Sequence, residues 1–500
     1  MLRRNIIANY FGQIWVAIMG LAFVPVYIRY LGIDAYGLIG IYSVLQACLT
    51  LLDVGMTPML SREMARFTGG GHTNQSIRDL LRSVELIACT VALVMALGVI
   101  ISANWLARSW IRSDALEPSV VSQAFMLMGL VVALRFVEGI YRSAIIGLQR
   151  HVLFNVINSV TMTFRWGGAA FVLAFVSSTV TAFFVWQACI SLATVLWLWG
   201  ATYKNLPEGE HSAQASIDVI KNARKFAGGM FLISITVLIL TNLDKIILST
   251  SVPLSDYGYY TLTVTAVGGL TYLSSPIIQA MLPKLAELHE NGNSDQFSDI
   301  YHTAAQMVSI VLGSASWLVI FFSDTLLELW TNNLSLVQQT SYLLKLMAFG
   351  TLLNGMMGVP YIAQLAIGWT RLTIITNIVS ILILIPALLV LVSKYGVYGA
   401  AIVWIALNSG YLTISAHFIY KKILPGEKAK WYLDDVIYPL VASLIGVIVV
   451  KTFYPDGSSA FVSVLYLTVA IVFGACLSAL AASKARASFF KIIGRNFGWQ

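Results

Sequence analysis

Fourteen stretches of about 20 mainly apolar residues, each long enough to cross a hydrocarbon core, dominate this 500-residue chain. They lie near 6–28, 37–58, 84–104, 120–140, 152–176, 178–200, 226–249, 258–281, 303–323, 341–364, 372–393, 398–420, 435–454 and 460–482. Only 11% of the residues are charged and the mean hydropathy is +0.79, so lipid rather than water is the solvent for most of the surface. Because backbone polar groups in lipid must pair internally, the reading is an all-α polytopic membrane protein of about 14 transmembrane helices.

An internal repeat organises these stretches. Adding 221 to each of the first six ranges lands on stretches seven to twelve within a few residues, and two short signatures recur at that offset. Tyr36-Gly37 returns as Tyr257-Gly258, and Gly147-Leu148-Gln149-Arg150 returns as Gly368-Trp369-Thr370-Arg371. Two six-helix lobes follow, residues 1–200 and 226–420, joined by a linker at 201–225. A helix pair at 435–482 and a tail at 483–500 have no counterpart. Since each lobe has an even helix count, the repeat is parallel, with its pseudo-two-fold axis along the membrane normal.

The basic residues test this count. With the N-terminus inside, cytoplasmic loops and tails hold 22 of the 31 Lys and Arg residues, outer loops with the outer end of the thirteenth stretch hold 5 (Arg29, Arg108, Arg112, Lys394, Lys451), and 4 fall deeper inside spans. That asymmetry is the positive-inside pattern, and it places both termini in the cytoplasm. The +8 net charge is thus a topology signal, and no nucleic-acid partner is expected. Met1-Leu2-Arg3-Arg4 and its apolar follow-on read as a retained first helix, because the stretch is too long for a signal h-region and lacks a small-x-small cleavage site. Cys48, Cys89, Cys189 and Cys476 lie inside spans without disulfide or metal-ligand spacing and read as packing residues.

Several chemistries lack their residues. No connecting loop has room for a catalytic domain, and there is no GxxxxGK[ST] phosphate loop. The six histidines are scattered, with no metal-ligand pair, and Gly69-Gly70-Gly71 reads as a flexible joint. Transport is left as the leading class, with no enzymatic role, cofactor or metal expected.

Ionisable residues inside spans call for a partner, a wet cavity or a function. Arg165 sits roughly 20 Å into its span at 1.5 Å per residue and reads as a cavity cation or as one half of a buried ion pair. Arg135 and Glu138 share a helical face at i and i+3, as a local salt bridge or as cavity lining. In Asn242-Leu243-Asp244-Lys245 the acid and base diverge by about 100° and do not pair; Lys245 can snorkel, whereas Asp244 cannot. Asp53, just before Gly55 and Pro58, stands at an expected helix kink, as a gating or proton-coupling carboxylate or as a solvated helix-end acid. Lys345 reads as an interfacial anchor, and Gly98, Gly129, Gly167-Gly168, Gly355 and Gly358 as points of close helix packing.

Leu52-Asp53-Val54-Gly55-Met56-Thr57-Pro58 with Ser61-Arg62-Glu63-Met64-Ala65-Arg66 resembles the second-helix segment of polysaccharide flippases. Asp244-Lys245-Ile246-Ile247-Leu248 followed by Tyr257-Gly258-Tyr259-Tyr260 resembles their seventh-helix segment, and Gly147-Leu148-Gln149-Arg150 leading to Arg165 fits the same pattern. The chain is therefore similar, over about residues 1–420, to the Wzx-type O-antigen and polysaccharide translocases, relatives of the lipid II flippases and multidrug-and-toxin exporters. The resemblance implies a bacterial inner-membrane protein that moves an undecaprenyl-diphosphate-linked oligosaccharide, an O-antigen or other surface-polysaccharide unit, to the periplasmic leaflet. It implies alternating access driven by a proton or sodium gradient or by the membrane potential, without ATP. By position it implies Arg135, Arg165 and Lys245 as substrate-binding cations, with Asp53, Glu138 and Asp244 coupling or gating. Lipids and polysaccharide polymerase or assembly proteins are the implied partners. A small organic-cation exporter of the same superfamily is the nearest rival reading, and a polytopic polysaccharide polymerase or ligase a more distant one.

Overall fold

A computed structural model describes residues 2–53, 55–68, 70–112, 115–209, 211, 235–455 and 457–487. Among them there is no strand, and eleven helices are long and apolar enough to cross a membrane. The protein is an all-helical, multi-pass membrane protein. The fourteen apolar stretches fall mainly on helix, although the second is interrupted at Asp53 and Gly55 and the seventh is described only from residue 235. The expected linker from 212 onward and the tail from 488 lie outside the described residues.

The backbone divides into two compact units, Met1–Thr261 and Leu262–Gln500. The first contains α1 (Leu2–Ala22), α2 (Val24–Leu31), α3 (Ile33–Leu52), α4 (Met56–Thr68), α5 (Asn74–Trp105), α6 (Pro118–Gly147), α7 (His151–Thr163), α8 (Ala169–Phe175), α9 (Val180–Asn205) and α10 (235–251). The boundary falls inside α11 (Leu254–Glu290). The second continues with α12 (Ser294–Phe321), α13 (Ser323–Thr331), α14 (Leu334–Met356), α15 (Gly358–Ala366), α16 (Thr370–Tyr395), α17 (Val397–Gly410), α18 (Ala416–Lys422), α19 (Lys428–Lys430), α20 (Tyr438–Thr452) and α21 (Ala460–Ala481). Four π-helical turns, Leu106–Trp110, Phe164–Gly168, Tyr411–Ser415 and Trp431–Ile437, interrupt or extend these helices.

Helix breaks follow the chemistry of the chain. The kink expected near Asp53 is a full break between α3 and α4, with Gly55 at φ +79°. Thr57 donates to Asp53 from its backbone N–H (3.1 Å) and its hydroxyl (2.6 Å), so the carboxylate caps α4. Pro25 opens α2, where its missing N–H costs nothing, while Pro276, Pro283 and Pro386 lie inside α11 and α16.

The repeated Tyr-Gly signature is a packing contact. A Cβ on Gly37 would collide with the Leu254 carbonyl, and a Cβ on Gly258 would collide with the Ile33 carbonyl. Ile33 and Leu254 are themselves one repeat apart, and each opens its helix. One turn further along, Gly40 faces Thr261, its own counterpart at the 221-residue offset. The starts of α3 and α11 thus meet reciprocally about a local two-fold.

The second signature has no common cause. Gly147 lets the end of α6 approach the Ser61 carbonyl of α4. Its counterpart Gly368 instead supplies a left-handed turn residue at φ +70°, a task Gln149 performs in the first repeat at φ +60°. Gly129, Gly168, Gly355 and Gly358 do meet neighbouring side chains closely, whereas Gly98, expected to do the same, faces open space. Cys89, Cys189 and Cys476 also differ from expectation: they lie on exposed faces rather than in packed positions.

In the second unit α20 and α21 cross at small residues, where a Cβ on Gly446 would lie 2.8 Å from the Gly474 Cα. Leu318 of α12 and Phe322 just beyond its end pack against Val447, Val450, Leu467 and Ala470 of this pair. The terminal helices are therefore fastened to α12 through a shared apolar core.

Candidate functional site

A buried polar cluster lies in the first unit where α6, the Phe164–Gly168 turn and α9 meet. A π turn holds one more residue than an α turn and loosens the local carbonyl bonding. Here three successive carbonyls gain side-chain donors: Phe164 from Trp186 Nε1 (2.9 Å), Arg165 from Gln187 Nε2 (3.3 Å) and Trp166 from the Tyr27 hydroxyl (2.5 Å). Gly168 permits this because Trp186 lies where a Cβ would stand.

The same turn aims Arg165 inward, where it is fully buried. Its Nη2 donates to Glu138 Oε2 at 3.0 Å and its Nη1 to Ser191 Oγ at 2.9 Å, leaving Nε without a partner. The buried ion pair of Glu138 is thus made with Arg165 across helices, not with Arg135 along α6.

Arg135 is half-buried. With the Gln46 amide oxygen turned toward it, Gln46 accepts from Arg135 Nη1 (2.6 Å) and Nε (3.0 Å) and from the Tyr42 hydroxyl (3.0 Å). One turn beyond Glu138, the exposed Arg142 lies over the Phe154 ring, 4.9 Å from its centroid. Arg135, Arg142 and Arg165 all sense the Glu138 carboxylate electrostatically. Of the three, Arg165 alone contacts that carboxylate, while Arg135, on the same helix as Glu138, is held by a neutral amide, so Arg135 carries a positive charge with no carboxylate contact among the described residues.

Asp244 and Lys245 occupy α10. Lys245 Nζ donates to the Thr241 carbonyl (3.0 Å) and to Asn242 Oδ1 (3.3 Å). Asp244 Oδ2 accepts from the Tyr260 hydroxyl through a short bond, while Oδ1 is buried without a partner. A buried carboxylate oxygen of this kind is costly and open to a further donor or cation. Lys345, the expected anchor, is an exposed partner of Asp324 at 3.4 Å.

Two buried clusters were not legible in the sequence. Glu85, 3% exposed at the start of its apolar stretch, accepts from Tyr141 (2.9 Å), Tyr203 (3.0 Å) and Arg82 (3.1 Å). In the second unit His302 is fully buried between Asp435 and Glu427. These partners lie 56 to 133 residues apart, Arg82 excepted, so no local spacing announces them.

Comparison with known proteins agrees with this architecture. The profile of the family described as "Polysaccharide biosynthesis protein" matches residues 2–289. A "Putative O-antigen transporter" from Shigella flexneri is 19% identical over 405 residues, covering 80% of this chain and 93% of that relative. Among solved structures, the fold is similar to the lipid II flippase MurJ in an inward closed conformation, with TM-score 0.72, 14% identity, and coverage of 95% of this chain and 98% of that one. It is also similar to the MATE multidrug transporter DinF-BH, with TM-score 0.58, 15% identity, and coverage of 84% and 95%.

Proposed function

From the premise that this chain belongs to the polysaccharide biosynthesis protein family, we propose that it is a flippase for an undecaprenyl-diphosphate-linked oligosaccharide. The substrate would pass from the cytoplasmic to the periplasmic leaflet of a bacterial inner membrane, with both termini cytoplasmic. One observation carries this reading: on one buried polar cluster Arg165 takes up the Glu138 carboxylate, leaving Arg135 held by the neutral Gln46 amide as a cation free of contact with that acid. A diphosphate cannot enter hydrocarbon unaided, and a fixed cation lowers that cost.

Within this reading the residues take different parts. Arg135, half-buried and held by a neutral amide, meets the diphosphate. Arg165 is a positioning residue that holds Glu138, and the Arg165–Glu138 pair opens or re-forms as access alternates. Lys245 adds positive charge on α10. Asp244, with one unpartnered oxygen, binds the coupling proton or sodium ion, and Asp53 times the break between α3 and α4. One lobe, 1–200, rocks against the other, 226–420, while the polyprenyl tail stays in lipid. The sugar chain then passes to polysaccharide polymerase or assembly proteins.

The test is outer-leaflet exposure of lipid-linked glycan in a deletion strain carrying Arg135→Gln or Arg135→Lys at matched expression. The expected result is a loss of at least about tenfold for Arg135→Gln and partial rescue by Arg135→Lys. Full exposure in Arg135→Gln cells removes the arginine from the substrate path. A deletion that changes organic-cation resistance but leaves surface glycan intact replaces the flippase reading with an exporter.

A further inference from the structure

His302, on α12, is held at both ring nitrogens. Nε2 lies 2.6 Å from Glu427 Oε2, and Nδ1 makes a short contact with Asp435 Oδ2. Each contact needs a proton between nitrogen and oxygen, because two facing lone pairs repel. A neutral imidazole supplies one such proton. The second must be an additional one, on the ring or on a carboxyl group. From this geometry we infer that His302, Asp435 and Glu427 form a buried proton-binding site that locks the 423–430 loop onto α12.

The surroundings fit that role. Asp435, also fully buried, accepts from Gln306 Nε2 at 2.8 Å. Glu427 accepts from Ser298 Oγ at 2.9 Å and pairs with Lys430 at 3.2 Å. Burial alone would push the Glu427 carboxyl up, but His302, Ser298 and Lys430 outweigh it and hold it below the ordinary value. Wherever the additional proton sits among the three groups, both ring contacts close only while it is bound. Tyr301 and Tyr420 close the other side through a hydroxyl–hydroxyl bond of 2.6 Å. From the tail, Ser483 accepts from Gln306, and Lys484 pairs with Asp299.

Loss of the proton sets a lone pair of the buried ring against a carboxylate. Glu427 is the partner that departs, since its side chain is 29% exposed and retains Lys430, whereas Asp435 has no exposure at all. A cavity of about 340 Å³, lined by Ser298, Asp299, Glu427 and Lys484 among others, gives the departing carboxylate and the proton a way out. The loop between α18 and α20 is then released while Asp435 keeps the Trp431–Ile437 turn attached. None of this depends on the transported substrate.

The test uses purified protein in detergent with the four native cysteines replaced by alanine and Leu424→Cys added as reporter, since Leu424 is buried beside Glu427. Alkylation rates are corrected for the pH dependence of the same thiol in denatured protein. With the site intact, the corrected rate should rise by up to about tenfold per pH unit as the site loses its single proton and level off once the proton is gone. In Glu427→Gln the amide N–H can donate to a neutral ring, so the loop should stay protected at every pH. In His302→Gln, where that variant folds, the rate should be independent of pH. A flat profile with the site intact, or a Glu427→Gln profile as steep as that of the intact site, overturns the proposal.

Discussion

Gly37 and Gly258 occupy equivalent places on the two sides of one helix contact, each lying against the carbonyl of the residue that opens the other's helix. Gly37→Ala or Gly258→Ala should each cost about 1–3 kcal/mol, the usual penalty of overpacking. Because both substitutions force apart the same pair of helix ends, the double variant should cost clearly less than the sum. Denaturation of the three purified variants measures this coupling, and strict additivity would mean that the two glycines act separately.

The Arg165–Glu138 pair should show the asymmetry of buried ion pairs. Arg165→Met alone strands a carboxylate and should destabilise the protein by about 3–5 kcal/mol, whereas adding Glu138→Leu should recover much of that loss. Comparison of the single and double variants by detergent-phase unfolding decides the point. Absence of recovery would make the arginine's packing, rather than its charge, the main contribution.

Glu85 offers a second test of buried polar bonding. Tyr141→Phe and Tyr203→Phe each remove one donor to a carboxylate that keeps the other, and each should cost about 1.5–3 kcal/mol. The pair together should cost more than their sum, since Glu85 then retains only Arg82. Thermal melts of the three variants read this directly.

Glu63 predicts a pH effect outside the membrane. Burial by itself would push its carboxyl up, but the His72 hydrogen bond and the Arg66 and Arg62 charges outweigh it and hold the group below the ordinary value of 4.5. A depressed carboxylate stabilises the fold at pH values above its unfolded pKa, and that contribution disappears as pH falls through the lowered value. Melting temperatures of the native chain and Glu63→Gln should therefore differ at neutral pH and converge on acidification. A constant difference across the range would contradict the assignment.

Much of the fold was legible because apolar character summed over about 20 residues is insensitive to the identity of any one of them. The break after Leu52 was legible for a similar reason, since Gly55 and Pro58 each restrict what a helix can do. Side-chain partners were less accessible. Glu138 reads as a local partner of Arg135, yet Arg165 reaches it from another helix. The Gly147 and Gly368 match was equally opaque, because one glycine answers a close approach and the other a left-handed turn. His302 gave no local sign at all, since both its acidic partners lie more than a hundred residues downstream.

The π turn at Phe164–Gly168 also carries a record of its own. One additional residue in a helical turn advances everything after it by about 100° around the axis. A helical wheel drawn straight through His151–Phe175 therefore assigns the residues beyond Gly168 to the wrong side. Homologues without the turn should align with this chain only when a single-residue gap is opened there. The turn thereby swings an arginine inward without changing the course of the helix at either end.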